Sequence, residues 1–291
     1  MMIRETRKHF SGATKTLLRF TQKIVIGVKS PYKPNQSHLI VHCSHHKVGT
    51  AWFSKVLRAV AREFDLAFSS LNQGDSPKTP HPRSVLLYQH SQINLEEFPK
   101  LRGSHLIRDP RDIVVSGYHY HLWTKEHWAN TPIGLLPELK VILPIQDIEG
   151  INNLTYREYL NFLPREEGMY TEMLRATATV IRRMANWDYK NPDFLELKYE
   201  KIMQDEQNTF ESLFKHYGFN DKAITKSVNI AMNYSITKIR KNSKKSEGKS
   251  HIRSGASSQW IREFSSSLKE EFKKLNGDVL IKLGYEDNHN W

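Results

Sequence analysis

The stretch from His38 to Phe64 constrains the fold more than any other part of the sequence. The run His38-Leu39-Ile40-Val41-His42-Cys43 reads as a short buried strand, and after a polar loop Phe53, Val56, Leu57, Val60 and Phe64 recur at helical spacing. Strand, loop and helix in that order begin a parallel crossover unit. Ser84 to Tyr88 reads as a second strand, and Gly103 to Ile107 as a third, followed by a helix over Asp112 to Trp123. A long helix near Glu166 to Trp187, a strand at Phe194 to Leu197, and helices near 206–217 and 221–233 continue the alternation. The series predicts an α/β domain, a central parallel sheet with helices on both faces. No internal repeat is visible and no domain boundary falls after residue 34, so residues 35–291 are expected to form one domain.

The 291 residues are 38% apolar and 11% aromatic, enough for a proper core, which excludes a wholly disordered chain. The single cysteine, Cys43, excludes a disulfide scaffold and a four-cysteine zinc module, and fits a reducing compartment. No apolar run approaches the roughly 20 residues of a membrane-spanning helix, and Ile24 to Val28 is too short for a secretory signal. A soluble, cytoplasmic protein is expected.

The net charge of +12 is unevenly placed. Residues 1–33 carry +7 and residues 240–253 carry +5, which leaves the rest of the chain neutral. A neutral body with two basic segments suits a local anionic ligand better than a nucleic-acid face, so no nucleic-acid partner is expected. In the segment 1–34, Phe10, Ala13, Leu17, Phe20, Ile24 and Val28 recur every three or four positions. That spacing fits either a helix packed on the domain or a basic amphipathic helix on an acidic membrane surface. Gly12, Gly27 and the early threonines favour the first. Residues 122–155 mix Trp, Pro, Leu and Gly without a clean period, as in a long insertion that shapes a substrate site. Residues 241–258 are rich in Ser and Lys, a basic loop suited to covering an anion.

The first strand leads through Ser44-His45-His46-Lys47-Val48-Gly49-Thr50-Ala51-Trp52 into a helix, so helix-start N–H groups and the Lys47 ammonium converge on one anionic group. This is a phosphate-type cradle but not a Walker A motif, because Lys47 precedes Gly49 instead of following the second glycine. A second strand end, turn and helix start follows at Leu106-Ile107-Arg108-Asp109-Pro110-Arg111-Asp112-Ile113-Val114-Val115-Ser116-Gly117-Tyr118. There a guanidinium from Arg108 and a hydroxyl from Ser116 can share a second phosphate.

The pair Lys47-x-Gly-Thr-x-Trp52 and Arg108-Asp-Pro-Arg-Asp-x-x-x-Ser116-x-Tyr resembles the two phosphate-binding signatures of sulfotransferases that use 3′-phosphoadenosine 5′-phosphosulfate (PAPS), in the family's order. The resemblance covers about residues 38 to 285 and implies a sulfotransferase fold akin to that of P-loop nucleotide kinases, with sulfuryl transfer to an acceptor hydroxyl or amine. It makes Lys47, Val48, Gly49, Thr50, Ala51, Trp52, Arg108 and Ser116 donor-binding residues. Lys47 is also implied to stabilise charge on the bridging oxygen as the sulfuryl group leaves. His90, in Tyr88-Gln89-His90-Ser91, stands at the place of the family's catalytic base, although Ser91-Gln92 replaces the usual apolar-Pro pair. Trp52 is implied to stack on the base, and Tyr199 and Ser235 to contact it, with Ile236 where an aromatic is common. Arg253, Ser254 and Gly255, followed by Trp260, resemble the element that closes over the 3′-phosphate, with Ser254 replacing a Lys.

The scheme requires no metal. His42, Cys43, His45 and His46 could be read as a metal cluster, but residues 42 and 43 of a strand point to opposite faces. His119 and His121 lie two apart on a helix, with His121 expected to face the cleft. Two rivals stay open: an ATP-dependent small-molecule kinase, whose magnesium-binding Ser/Thr after a Gly-Lys pair is missing from the loop, and a catalytically silent adaptor. Trp123, Trp128, Leu135, Leu136, Val141, Ile142 and Leu143 in the insertion suit an acceptor with an apolar part.

Overall fold

The computed structural model describes residues 38–72, 75, 83–98, 100–143, 150–243 and 256–291. The basic segment 1–34 and Arg253, Ser254 and Gly255 lie outside the described residues. Five parallel strands form one sheet: β1 (Leu39–Cys43), β2 (Ala67–Leu71), β3 (Ser84–Tyr88), β4 (Leu101–Ile107) and β5 (Phe194–Lys198), in the order β2-β3-β1-β4-β5. The chain leaves β1 toward β3 and β2, then returns to the other side of β1 with β4 and β5. The C-terminal ends of β1 and β4 are therefore the switch point where such sheets bind ligands. Both motif turns start there, side by side, because β1 and β4 pair with His42 opposite Ser104 and Cys43 opposite His105.

The sequence signals missed β2. Its Ala67-Phe68-Ser69-Ser70-Leu71 run is half exposed on the sheet edge, so neither an apolar run nor clean alternation marks it. The expected helices around it are present: α1 (Thr50–Glu63), α2 (Pro110–His121), α8 (Glu206–His216) and α9 (Asp221–Asn233). On α1 the residues Trp52, Phe53, Val56, Leu57 and Val60 are buried in the larger core, together with Phe210, Leu213 and Phe214 of α8. Helices flank the sheet, as the sequence predicts. Among the described residues, the smaller core on Leu39, Val41, Cys43 and Leu86 takes its apolar cover from Ile93, Leu95, Phe98, Trp187 and Phe194 rather than from a long helix.

The predicted long helix is α5 (Arg165–Ala176), a π-helical turn at Thr177–Ile181, and α6 (Arg182–Ala185). The turn has a local cause. Thr177 and Thr179 donate their hydroxyls back to the Met173 and Arg175 carbonyls at 2.8 and 2.7 Å, loosening the regular ladder. The insertion contains the short helix α3 (Pro137–Ile142), and its Ile133, Leu139, Leu143 and Ile151 form a small core with Tyr156, Tyr159 and Leu160 of the following helix α4 (Tyr156–Phe162). Leu135 and Val141 remain on its surface at 71% and 87% exposure. After β5 come α7 (Tyr199–Gln204), then α8, α9 and α10 (Ile236–Ser243), and finally α11 (Trp260–Glu263) and α12 (Ser266–Lys282).

Candidate active site

The β1–α1 loop is braced by its own hydroxyls. Thr50 Oγ1 donates to the His45 carbonyl at 2.8 Å and accepts from Ser44 Oγ at 2.9 Å, while Ser91 Oγ donates to the Ser44 carbonyl at 2.9 Å. Lys47 and Gly49 both take left-handed backbone conformations, φ 67° and 116°. Such a φ costs a non-glycine residue about 1–3 kcal/mol, held here by the bracing. At Gly49 conformation, not space, demands glycine, since an added Cβ would meet the Tyr199 ring at an ordinary 3.6 Å. Val48 is buried beneath the loop and Ala51 is exposed on it. The N–H groups of Gly49, Thr50 and Ala51 make no backbone hydrogen bond among the described residues, which leaves them for an anion.

Lys47 Nζ sits over the Tyr120 ring, 3.5 Å from its centroid. Burial, aided by Arg108 and opposed by Glu126, lowers its pKa to about 7. A bound anion would restore the ammonium. Arg108 closes the other side. Its guanidinium donates to the Lys47 carbonyl at 3.1 Å and the Ala256 carbonyl at 3.0 Å, and lies 4.7 Å from the Tyr199 ring centroid. Among the described residues, Arg108 Nε is buried without a partner. Unspent donors around a cationic cradle fit a phosphate-bearing nucleotide. The described end of the 241–258 loop meets this site, with Ala256 on Arg108 and Trp260 N–H donating to Asp112 at 3.1 Å.

The two motif arginines divide their work. Arg111 points away from the cradle: it pairs with Asp109 at 2.8 Å and Glu286, and packs between Trp260 and Trp291 at 3.9 and 4.6 Å. Asp109 also caps α2 by accepting from the Arg111 N–H at 2.9 Å. Ser116 is half-buried on α2. Trp52 is 5% exposed, edge-on to Phe53 and Phe210 in the larger core. Tyr199 is buried at the start of α7, and Ser235 is buried with its hydroxyl accepting from the Lys238 N–H at 3.2 Å. Next to Ser235, Tyr234 joins Ala51, Ser54, Lys55, Arg58, Ala59 and Arg62 in lining an open cleft along α1. His90 is half-buried, with no hydrogen bond or ring contact among the described residues, and burial together with Arg183 lowers its pKa.

Sequence reasoning missed the polar groups behind Lys47. His121 Nδ1 meets Glu172 Oε2 at 2.9 Å, and its Nε2 meets His46 Nε2 at 3.1 Å. Glu172 also accepts from Tyr156 Oη at 2.7 Å and pairs with Arg175 at 2.5 Å. Burial alone would raise the Glu172 carboxyl, but Arg175 and His121 outweigh it and hold it well below the usual carboxylate range. Gly117 makes the room: a Cβ there would lie 2.1 Å from Glu172 Oε1. A parallel chain runs from Glu196 through His105 to His45, at 2.7 and 2.8 Å. The strand set read as a metal cluster is dispersed: His42 stacks on Phe53, and Cys43 packs in the smaller core. Ligand atoms of His46, His121 and Glu126 instead lie within 4.8 Å of one another. His119 turns to Glu263 at 3.2 Å, so of the two histidines on α2 it is His121 that faces Lys47's side. The spacing of His46, His121, Glu126 and Glu172 carries no short motif that would have grouped them.

A family model described as "Sulfotransferase domain" matches residues 36–284. The chain belongs to the sulfotransferase family. This sulfotransferase is 23% identical over 293 residues to "3-beta-hydroxysteroid sulfotransferase" of Cavia porcellus, covering 91% of each chain. It is 23% identical to "Sulfotransferase 2A1" of Mus musculus, covering 91% of its own chain and 92% of the relative. Among solved structures, mouse sulfotransferase SULT7A1 complexed with PAP aligns with TM-score 0.47 at 18% identity, covering 85% of both chains. Retinol dehydratase in complex with retinol and PAP aligns with TM-score 0.47 at 14% identity, over 86% of this chain and 82% of that one. The sulfotransferase transfers a sulfuryl group from PAPS. Among the described residues, no helix is long and apolar enough to cross a membrane.

Proposed function

We propose that the acceptor is an alcohol with an apolar part, and that Lys47, Arg108 and the Gly49–Ala51 N–H groups hold the donor. The observation that carries the donor site is the convergence of the strained Lys47 loop and Arg108 on adjacent strand ends, with donors that no described residue satisfies. PAPS supplies an activated sulfuryl group on a phosphate leaving group. Lys47 meets negative charge as it builds on the bridging oxygen, Arg108 and Ser116 bind a second phosphate, and Val48 keeps the loop seated on the core. Trp52, Tyr199 and Ser235 serve the base end, and Arg253, Ser254 and Gly255 cover the 3′-phosphate. His90, with its unengaged imidazole, takes the acceptor's proton.

Support for an apolar acceptor comes from the exposed Leu135 and Val141 of the insertion and from the relative named for 3-beta-hydroxysteroids. Segment 1–34 carries a +7 charge that suits peripheral contact with anionic lipid as the alternative to packing on the domain. The test is transfer of radiolabelled sulfuryl groups from PAPS to a panel of sterol-like, aromatic and sugar alcohols and amines. Sterol-like or aromatic alcohols should be labelled in preference to sugars, and His90→Ala should lower turnover with donor affinity unchanged. Labelling confined to sugars would overturn the acceptor reading.

A further inference from the structure

Two hydrogen-bond chains end on the residues just before Lys47, and their ends differ. In each chain a carboxylate meets Nδ1 of a first imidazole, whose Nε2 meets Nε2 of a second: Glu172–His121–His46, and Glu196–His105–His45. The proton positions follow from hydrogen-bonding capacity. A carboxylate only accepts, so Nδ1 of His121 carries the hydrogen. A neutral imidazole carries one, so His121 Nε2 accepts, His46 Nε2 donates, and His46 Nδ1 is left with a bare lone pair. The same logic leaves a bare Nδ1 on His45, which is buried without a partner in a residue 1% exposed. His46 differs: it is half-buried, and its Nδ1 is not among the nitrogens sealed from solvent without a partner. The rings of His46 and His121 lie within 5° of parallel, which suits an in-line N–H···N bond.

We propose that His46 Nδ1 is a second proton acceptor for sulfuryl transfer, oriented through His121 by Glu172. The inference rests on the sulfotransferase reading of the site. The step balances as follows: the acceptor O–H breaks and its proton bonds to His46 Nδ1. The oxygen pair forms the new O–S bond while the bond from sulfur to the phosphate oxygen breaks, its electron pair leaving on the nucleotide. In the free protein burial, then His121, Lys47, Arg175 and His90, hold the His46 pKa well below the usual histidine range, so the ring meets the acceptor neutral with its Nδ1 lone pair free. A Glu126 carboxylate oxygen within 4.8 Å of a His46 ring nitrogen, and Glu172 through His121, are the carboxylates near the imidazolium once it forms. His121 and Glu172 are positioning residues. They fix which nitrogen is bare, and Arg175 and Tyr156 hold Glu172 for that task. With a second imidazole at hand, loss of His90 alone leaves part of the turnover.

The test combines spectroscopy and kinetics on the full chain. In nitrogen-15 histidine spectra, with His46→Gln giving the assignment, His46 should show an unprotonated Nδ1 and a protonated Nε2. In a His90→Ala background, adding His46→Gln should lower kcat by about tenfold or more, given the size of general-base effects. The glutamine amide can still donate to His121, so PAP affinity measured by calorimetry should stay within about twofold, since only the base is removed. A hydrogen on His46 Nδ1, a double variant no slower than His90→Ala, or a stoichiometric metal ion bound by the protein as purified would each overturn the proposal. Should His46→Gln fail to fold, assignment through His121→Asn keeps the spectral test decisive. Absence of PAP binding by the unaltered protein would instead count against the donor site.

Discussion

At the residue scale the site depends on groups that gain their chemistry from neighbours. Lys47 titrates near 7 because it is buried beside Arg108. In the proposed donor site the phosphates take the Lys47 ammonium, so above pH 7 binding would first recover a proton. Affinity for PAP should then fall by up to about tenfold per pH unit between 7 and 9. Lys47→Arg, whose charge persists, should flatten that dependence in calorimetric titrations. Gly117 offers a second check. With Glu172 Oε1 2.1 Å from any added Cβ, Gly117→Ala should destabilise the fold by about 1–3 kcal/mol in urea unfolding. Lys47, Gly49 and Arg108 were legible in the sequence because each sits in a short motif with a strict order. His46, His121 and Glu172 were not, because their partnership joins a loop to two helices far apart in the chain.

At the element scale the second motif does two jobs. Arg108 looks into the site, whereas Arg111 ties the start of α2 to Glu286 and the Trp260–Trp291 pair at the C-terminal end. Arg111→Ala leaves the Asp109 carboxylate buried without its partner and should cost about 3–5 kcal/mol of stability; Arg108→Ala likewise takes the cation from the buried Asp112, 3.5 Å away, and should also destabilise, but it alone should abolish donor binding. Unfolding midpoints set beside PAP titrations separate the two. The strand–loop–helix units were legible because apolar runs and helical spacing mark elements buried in a parallel sheet. β2 escaped because an edge strand with two serines has no apolar signature. The π-turn escaped because Thr177 and Thr179 act through bonds to the preceding turn, which residue spacing does not reveal.

At the scale of the whole molecule, the strand order places the Lys47 loop and the Arg108 turn together, with Ala256 on Arg108, Trp260 on Asp112 and Glu172 of α5 on His121 beside them. The insertion was read as irregular, yet it folds on a small core shared with α4 and presents Leu135 and Val141 outward. Replacing both by Ser should raise KM for an apolar alcohol several-fold and leave PAP affinity unchanged, as initial-rate kinetics would show, since each buried side chain is worth about 1.5–3 kcal/mol at most. The central claim is that two strand-end motifs make one site for the donor. Calorimetric titration with PAP, beside ATP with magnesium, tests it most directly. Tight binding of PAP that disappears in Arg108→Ala is the predicted result; binding of ATP alone, or PAP binding that Arg108→Ala leaves intact, would contradict it.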